Sequence, residues 1–204
     1  MRIKHYLFST LMLISCGTTT DTLLVEPMPD PAFQSQQQEV VYPASFLRSD
    51  INWETQSLTF EPYSMDRYGE EAIHSLKPGD RFLFDGDTLT VETVEYDDGE
   101  VLINQGLEEG GATLRRAPEG YYRGLIWNDH ATYSAHPCVT LPFAASWTLY
   151  DCGDDPSDPT LEITAEQESY LSQLPDYRDN FTPLNTLVTV RDGQIVAITR
   201  RWIP

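Results

Sequence analysis

The chain has 204 residues, enough for one domain of ordinary size, and its 8 Phe, 11 Tyr and 4 Trp can fill a hydrophobic core. Its 32 acidic residues outnumber its 13 basic residues, which gives a formal net charge of −19. Such a surface repels phosphate backbones and anionic lipid head groups, so composition argues against nucleic-acid binding and against polybasic membrane attachment. Net charge otherwise indicates solubility rather than a particular function.

The N-terminal segment is typical of an export signal. Arg2 and Lys4 precede an apolar stretch over residues 6–14, which is shorter than the roughly 20 residues that a permanent membrane-spanning helix needs. The stretch ends in a small residue followed by a cysteine. We therefore predict that residues 1–15 are a signal peptide that is removed on export.

The residues Leu13-Ile14-Ser15-Cys16 resemble the lipobox of bacterial lipoproteins. The resemblance implies cleavage before Cys16 and acylation of its sulfur with fatty acids such as palmitate, because several acyl chains anchor a protein firmly where one holds only weakly. Gly17 stands where the family's sorting pattern has Asp for inner-membrane retention. The resemblance therefore implies the outer membrane in a host that has one.

Residues 16–44 are predicted to be the lipidated cysteine and a flexible tether. Threonine, proline and glutamine are frequent here, and no helical or strand period is visible. An alternative remains open, because the short apolar runs at residues 23–25 and 40–42 could each pair as an edge strand.

Residues 45–204 are predicted to form a single β-rich domain, a small antiparallel barrel or sandwich. Short apolar segments follow one another at spacings of about 8–12 residues, separated by turn signals. Hairpins are expected at Asp85-Gly86, Asp98-Gly99 and Asp192-Gly193. Pro142 is expected to make residues 139–150 an edge strand or to split them.

The helical content is predicted to be minor. The best helix covers residues 165–174 in the C-terminal half, with Thr164 and Gln167 as a capping box and Pro175 as its end. One or two helical turns are also possible over residues 70–76.

Two cysteines remain once Cys16 carries lipid. Cys138 and Cys152 flank one apolar segment, and an even pair of cysteines in an exported protein is typical of a disulfide. We therefore predict that they are bonded to each other.

No metal or cofactor is predicted. His130 and His136 lie near Cys138, but their spacing is not that of a zinc site. The acidic loop after residue 150 offers oxygen ligands for calcium without the spacing of an EF-hand. The weak candidate ligands are therefore His130, His136, Asp151, Asp154, Asp155 and Asp158.

No catalytic residue is predicted. Cys138 beside His136, or Ser134 with His130 and Asp129, would supply a nucleophile and a base, but no Gly-x-Ser-x-Gly turn is present. Sequence proximity does not establish that these side chains meet in space.

The tryptophans either fill the core or present an aromatic surface to a sugar or a peptide; they are Trp53, Trp127, Trp147 and Trp202.

The leading hypothesis is a non-enzymatic, lipid-anchored envelope protein that binds an envelope protein or glycan or supports an assembly. The alternative is a periplasmic hydrolase whose site is assembled from distant residues. An exposed aromatic face would favour binding, whereas a pocket with His130 or His136 beside a carboxylate or thiol would favour hydrolysis.

Overall fold

A computed structural model describes residues 22–29, 39–153, 155–174, 176 and 180–203. The predicted signal peptide (residues 1–15), the lipobox with Cys16 and half of the predicted tether lie outside the described residues. The described chain is mainly β with two short α-helices, which confirms the predicted fold class. None of its helices has the length and apolar character needed to cross a membrane.

The first half of the chain contains β1 to β9 and one helix. In order they are β1 (Leu24–Val25), β2 (Glu39–Ser45), β3 (Ile51–Asn52), β4 (Ser57–Met65), β5 (Arg67–Gly69), α1 (Glu70–His74), β6 (Arg81–Phe84), β7 (Asp87–Thr90), β8 (Val94–Asp97) and β9 (Glu100–Ile103). The second half contains β10 (Ala112–Arg116), β11 (Tyr121–Leu125), β12 (Tyr133–Ala135), β13 (Val139–Asp151), β14 (Leu161–Ile163), α2 (Gln167–Gln173), β15 (Thr186–Arg191) and β16 (Gln194–Arg200).

The described parts of residues 39–65 and 133–203 form what we call the barrel lobe. Strand β4 pairs with β2, β2 with β15, β15 with β16, β16 with β13, and β13 returns to β4, so that the pairings close into a ring. All of these pairs are antiparallel except β13 with β16. The ring encloses a core that includes Phe60, Trp147, Leu149, Phe181, Val188 and Ile198.

Residues 22–29 and 66–132 form what we call the insert lobe, because its larger segment interrupts the barrel lobe between β4 and β12. A five-stranded sheet in the order β5-β11-β10-β9-β8 and a three-stranded sheet in the order β1-β6-β7 contribute to a second core. Its buried members include Tyr68, Ile73, Phe82, Val101, Leu114 and Tyr122. Burial of these side chains supplies the main driving force for folding this part of the chain.

The structure corrects the predicted tether over residues 16–44, because β1 and β2 lie within it. Val25 is buried in the core of the insert lobe and Ala44 in that of the barrel lobe, which stabilises both strands. The alternative of short strands was therefore the better interpretation. It was incomplete for β2, which has a partner on each side and is not an edge strand.

The three predicted hairpins are confirmed, with turns that join β6 to β7, β8 to β9 and β15 to β16. In each turn the Asp and the Gly both have positive φ, as the tightest hairpin turns require. The segment over residues 88–96 does not form one continuous strand. It breaks between β7 and β8, which belong to different sheets.

Pro142 marks the point where β13 changes partners. The strand is continuous, but residues 139–142 pair with β4 and the pairing with β16 begins at Phe143. A residue without a backbone N–H fits where one ladder ends and the next begins.

Both predicted helical segments are present, with α1 at residues 70–74 and α2 within residues 165–174. The predicted capping box at Thr164 is wrong, because the residue before α2 is Glu166 in a left-handed conformation. The Gln167 side chain instead donates to the carbonyl of Trp147 at 2.9 Å. Gln167 therefore bonds to a distant strand, β13, instead of capping its own helix.

Candidate functional site

The outer face of the five-stranded sheet carries three arginines in line, which we call the arginine row. Arg123 on β11 lies directly opposite Arg67 on β5 and Arg115 on β10. Residues directly opposite each other in an antiparallel pair project to the same face. Glu100 on β9 continues the line beyond Arg115.

Carboxylates and an aromatic ring offset part of the repulsion within the row. Arg115 contacts Glu100 at 2.7 Å and Asp129 at 3.1 Å, whereas Arg123 contacts Glu119 at the longer distance of 3.5 Å. The guanidinium carbons of Arg67 and Arg123 lie 5.3 and 5.6 Å from the centre of the Tyr121 ring. Both distances are in the range of cation–π attraction.

A short turn after β11 presents Trp127 to solvent. The indole is 64% exposed, and the next two residues, Asn128 and Asp129, have φ of 59° and 60°. This backbone region is uncommon outside glycine, although Asn and Asp tolerate it best. The Arg115–Asp129 contact ties the turn to the sheet.

Two adjoining clefts surround this turn and the row. The first, which we call the Trp127 cleft, has a volume of ≈ 430 Å³, and its polar lining includes Glu100, Thr113, Arg115, Asn128 and Asp129. The second, with a volume of ≈ 260 Å³, is lined by Arg115, Arg116 and Arg123 among others. Because Arg115, Leu125 and Asp129 line both, the two clefts form one continuous surface.

This surface combines an aromatic face with many hydrogen-bonding groups. The indole can stack on an apolar ring face. The nearby amide, hydroxyl and guanidinium groups can donate hydrogen bonds to the hydroxyls of a ligand, and the carboxylates can accept hydrogen bonds from them. Such a combination of apolar and convergent polar groups is typical of a ligand-binding cleft.

The other three tryptophans have different surroundings. Trp147 is buried and stacks on Phe143 at 4.3 Å, and Trp53 stacks on the same ring at 6.2 Å. Trp202 is partly exposed near the end of β16. The structure therefore places Trp147 in the core and Trp127 at the surface, whereas Trp53 and Trp202 are partly exposed.

The weak candidate ligands His130 and His136 have different neighbours in the structure. His130 follows the Trp127 turn, and its buried Nε2 has no hydrogen-bond partner among the described residues. His136 Nε2 lies 2.9 Å from Ser64 Oγ. Cys138 lines a separate cleft of ≈ 500 Å³ with Glu61 and Tyr63. Across the described ranges, no group of three or more His, Cys, Asp and Glu side chains has the arrangement of a metal site.

The described acidic residues of the loop after residue 150 have different surroundings. Asp151 is fully buried and forms a two-point ion pair with Arg200 at 3.0 and 3.1 Å, and Tyr170 donates to the same carboxylate at 2.8 Å. Asp155 accepts from Ser157 in an exposed turn, Asp158 is exposed, and Asp154 lies outside the described residues. Asp151 is therefore a structural residue rather than the calcium ligand considered above.

The predicted disulfide between Cys138 and Cys152 is wrong, because both thiols are free. They stand at opposite ends of β13, whose 13 residues separate them. The strand pairs with β4 at the end near Cys138 and with β16 at the end near Cys152. A disulfide needs Cα atoms within about 7 Å. The prediction assumed that the segment folds back on itself, and it does not.

The structure does not form the nucleophile and base considered above for Ser134, His130 and Asp129. Ser134 donates to Asp66 at 2.6 Å rather than to His130, and Asp129 belongs to the Trp127 cleft. Asp66 is 2% exposed, and burial raises the pKa of its carboxyl group. The sequence did not reveal the Ser64–His136 contact, whose members are 72 residues apart. Ser64 is only 6% exposed.

The arginine row was also missed. Its only sequence signal is the closeness of Arg115, Arg116 and Arg123 in a chain that is poor in basic residues. Strand register, which the sequence does not display, decides that Arg67 joins them.

Comparison with protein-family profiles, curated proteins and solved structures finds no match to this chain. Its function must therefore be inferred from the side chains themselves.

Proposed function

We propose that this protein is a lipid-anchored envelope lipoprotein whose folded part binds a glycan in the Trp127 cleft. The observation that carries the proposal is an indole that is 64% exposed within a cleft lined by polar side chains. Leaving a large apolar ring in water forfeits the free energy that its burial would provide. Tryptophans placed in this way are frequent anchors of binding sites.

The polar lining of the cleft favours a glycan over a protein partner, because the centre of a stable protein interface is apolar. The Trp127 cleft has a volume of ≈ 430 Å³, and Asn128, Asp129 and Glu100 line it beside the indole. A few sugar rings fit such a space, because their C–H faces stack on the indole and their hydroxyls pair with the polar groups.

The anchor is supported by the export signal and by Cys16 in the lipobox. An acylated Cys16 would hold the glycan-binding part at the membrane surface. Intact mass measurement on protein extracted from its own membrane tests this part of the proposal. We expect a chain that begins at Cys16 and carries acyl groups, whereas an unmodified Cys16 would contradict the anchor.

Binding is tested with the mature protein in detergent on an array of envelope glycans and neutral oligosaccharides. We expect Trp127→Ala to abolish the strongest signals. Trp202→Ala is the matched control, because Trp202 is also partly exposed but lies near the end of β16 in the barrel lobe. Equal loss in both variants, or no loss in either, would contradict a site at Trp127.

One contact favours the hydrolase as a second candidate. Ser64 Oγ and His136 Nε2 are 2.9 Å apart, which is within the range of a nucleophile and its base. Ser64 is buried, however, and it lines none of the clefts described above. A fluorophosphonate probe separates the two functions. Labelling that disappears in Ser64→Ala would favour the hydrolase, and we expect no labelling.

A further inference from the structure

We infer that the glycan is anionic and that its carboxylate groups bind the arginine row beside the Trp127 cleft. This inference rests on the proposed function and specifies its ligand class.

The alignment of three arginines lowers the stability of the sheet when no anion is bound. Like charges directly opposite each other on neighbouring strands destabilise a sheet. The chain has a formal charge of −19, yet Arg67, Arg123 and Arg115 occupy consecutive opposite positions on one face. A bound anion would convert this repulsion into attraction.

Arg123 is the member with donors to spare. Its contacts to Glu119 and to the Tyr121 hydroxyl are 3.5 and 3.3 Å long, at or beyond the limit of an ordinary hydrogen bond. Its Nε is buried and has no partner within the described chain. A guanidinium carries five N–H donors in a planar fork that fits the two oxygens of a carboxylate.

Three of the neighbouring acids contact other arginines, and a fourth, Glu108, lines the Trp127 cleft. Glu100 and Asp129 both contact Arg115 at 2.7 and 3.1 Å, and Glu70 contacts Arg116 at 2.9 Å. Glu119 is the acid that reaches Arg123, at 3.5 Å, and its side chain is 59% exposed. A ligand carboxylate can displace so weak a contact, because exposed ion pairs contribute little free energy.

The position of Arg123 connects this site to the proposed one. Arg123 lines the smaller cleft, which shares Arg115, Leu125 and Asp129 with the Trp127 cleft. Tyr121, against which Arg67 and Arg123 lie, adds a second aromatic ring on this side. A linear oligosaccharide that stacks on Trp127 can therefore place an acidic sugar against Arg123.

The test is calorimetric titration of the mature protein in detergent with two oligosaccharides that share one backbone. The neutral probe is cellohexaose, and the charged probe is the corresponding β-1,4-linked hexamer of glucuronic acid. We expect the charged probe to bind at least tenfold more tightly at low salt. The advantage should shrink as NaCl is added, because the site is exposed.

Variants assign the preference to the row. Arg123→Gln should remove the advantage of the charged probe, so that the two probes bind with similar affinity, while Arg123→Lys should retain part of the advantage. Arg191→Gln is the matched control, because Arg191 is an exposed arginine that pairs with Glu39 in the barrel lobe. Thermal midpoints of all variants confirm that each is folded.

The outcomes separate the inference from the proposed function. Equal affinity for both probes, or an unchanged preference in Arg123→Gln, would overturn the anionic ligand and leave neutral glycan binding in place. Failure of both probes to bind would overturn both. Polyglutamate that binds as tightly as the uronate, with the same dependence on Arg123, would replace the glycan by an acidic peptide and overturn the inference.

Discussion

The two lobes use arginine in opposite ways. In the barrel lobe, Arg200 is buried against Asp151, and Tyr170 and the backbone N–H of Gly153 complete the bonding of that carboxylate. In the insert lobe, Arg115 is exposed, Arg123 is half-buried, and both lie in a line of like charge. A fully bonded buried pair fixes a fold, whereas an exposed row with spare donors is suited to a ligand. Under the proposed function, the buried pair contributes stability in the barrel lobe and the arginine row contributes recognition in the insert lobe.

The largest expected effect comes from breaking the buried pair. Asp151→Ala leaves the Arg200 charge uncompensated in the core, and we expect the free energy of unfolding to fall by about 3–5 kcal/mol. Urea denaturation measures the loss. Asp155→Ala is the control, because this exposed carboxylate accepts hydrogen bonds from Ser157 in its own turn, and we expect an unchanged midpoint. A small effect of Asp151→Ala would remove the contrast between the lobes.

The insert lobe has its own point of structural sensitivity at Gly111. A Cβ at this position would lie 2.0 Å from the carbonyl oxygen of Ile103, so the backbone of β9 would have to shift. We expect Gly111→Ala to cost about 3 kcal/mol. The same change at Gly69 is the control, because its Cβ would meet Met28 Sδ at an ordinary 3.6 Å. Equal stability of the two variants would contradict this prediction, because it would mean that the backbone at Ile103 can shift at little cost in free energy.

Recognition should be separable from stability at Trp127. We expect Trp127→Ala to weaken glycan binding at least tenfold, equivalent to ~1.4 kcal/mol, because the stacking surface is lost. The free energy of unfolding should change by no more than about 0.5 kcal/mol, since the indole is exposed. Parallel calorimetry and urea denaturation check both values. A variant that is strongly destabilised would mean that Trp127 supports the fold instead of presenting a surface.

The smallest expected effect is a pH dependence at the junction of the lobes. Burial raises the pKa of Asp66 above its ordinary value of 3.8, and Asp85 adds to the rise while Ser134 opposes it. The folded state therefore holds this proton more tightly than the unfolded state, and its contribution to stability is lost as pH rises above 3.8 through the folded pKa. Asp66→Asn should flatten this decline, as urea denaturation at several pH values would show. An identical pH profile in both proteins would contradict the role of Asp66.

The sequence was most informative where structure is local. The turns at Asp85-Gly86, Asp98-Gly99 and Asp192-Gly193 were predicted because two adjacent residues with positive φ leave few alternatives. It was least informative where a contact joins distant segments. The Asp151–Arg200 pair, the Ser64–His136 contact and the third arginine of the row depend on partners that no local pattern identifies.

The sequence alone determined the β-rich class, the hairpin turns and the resemblance of residues 13–16 to a lipobox, because these depend on residues next to one another. Only the tertiary structure decided that Cys138 and Cys152 are not bonded to each other, that β2 belongs to the closed ring and that Trp127 lies beside the arginine row. Strand register and closure of the ring determine which distant side chains meet. They result from the packing of two whole cores rather than from the pattern of any one segment.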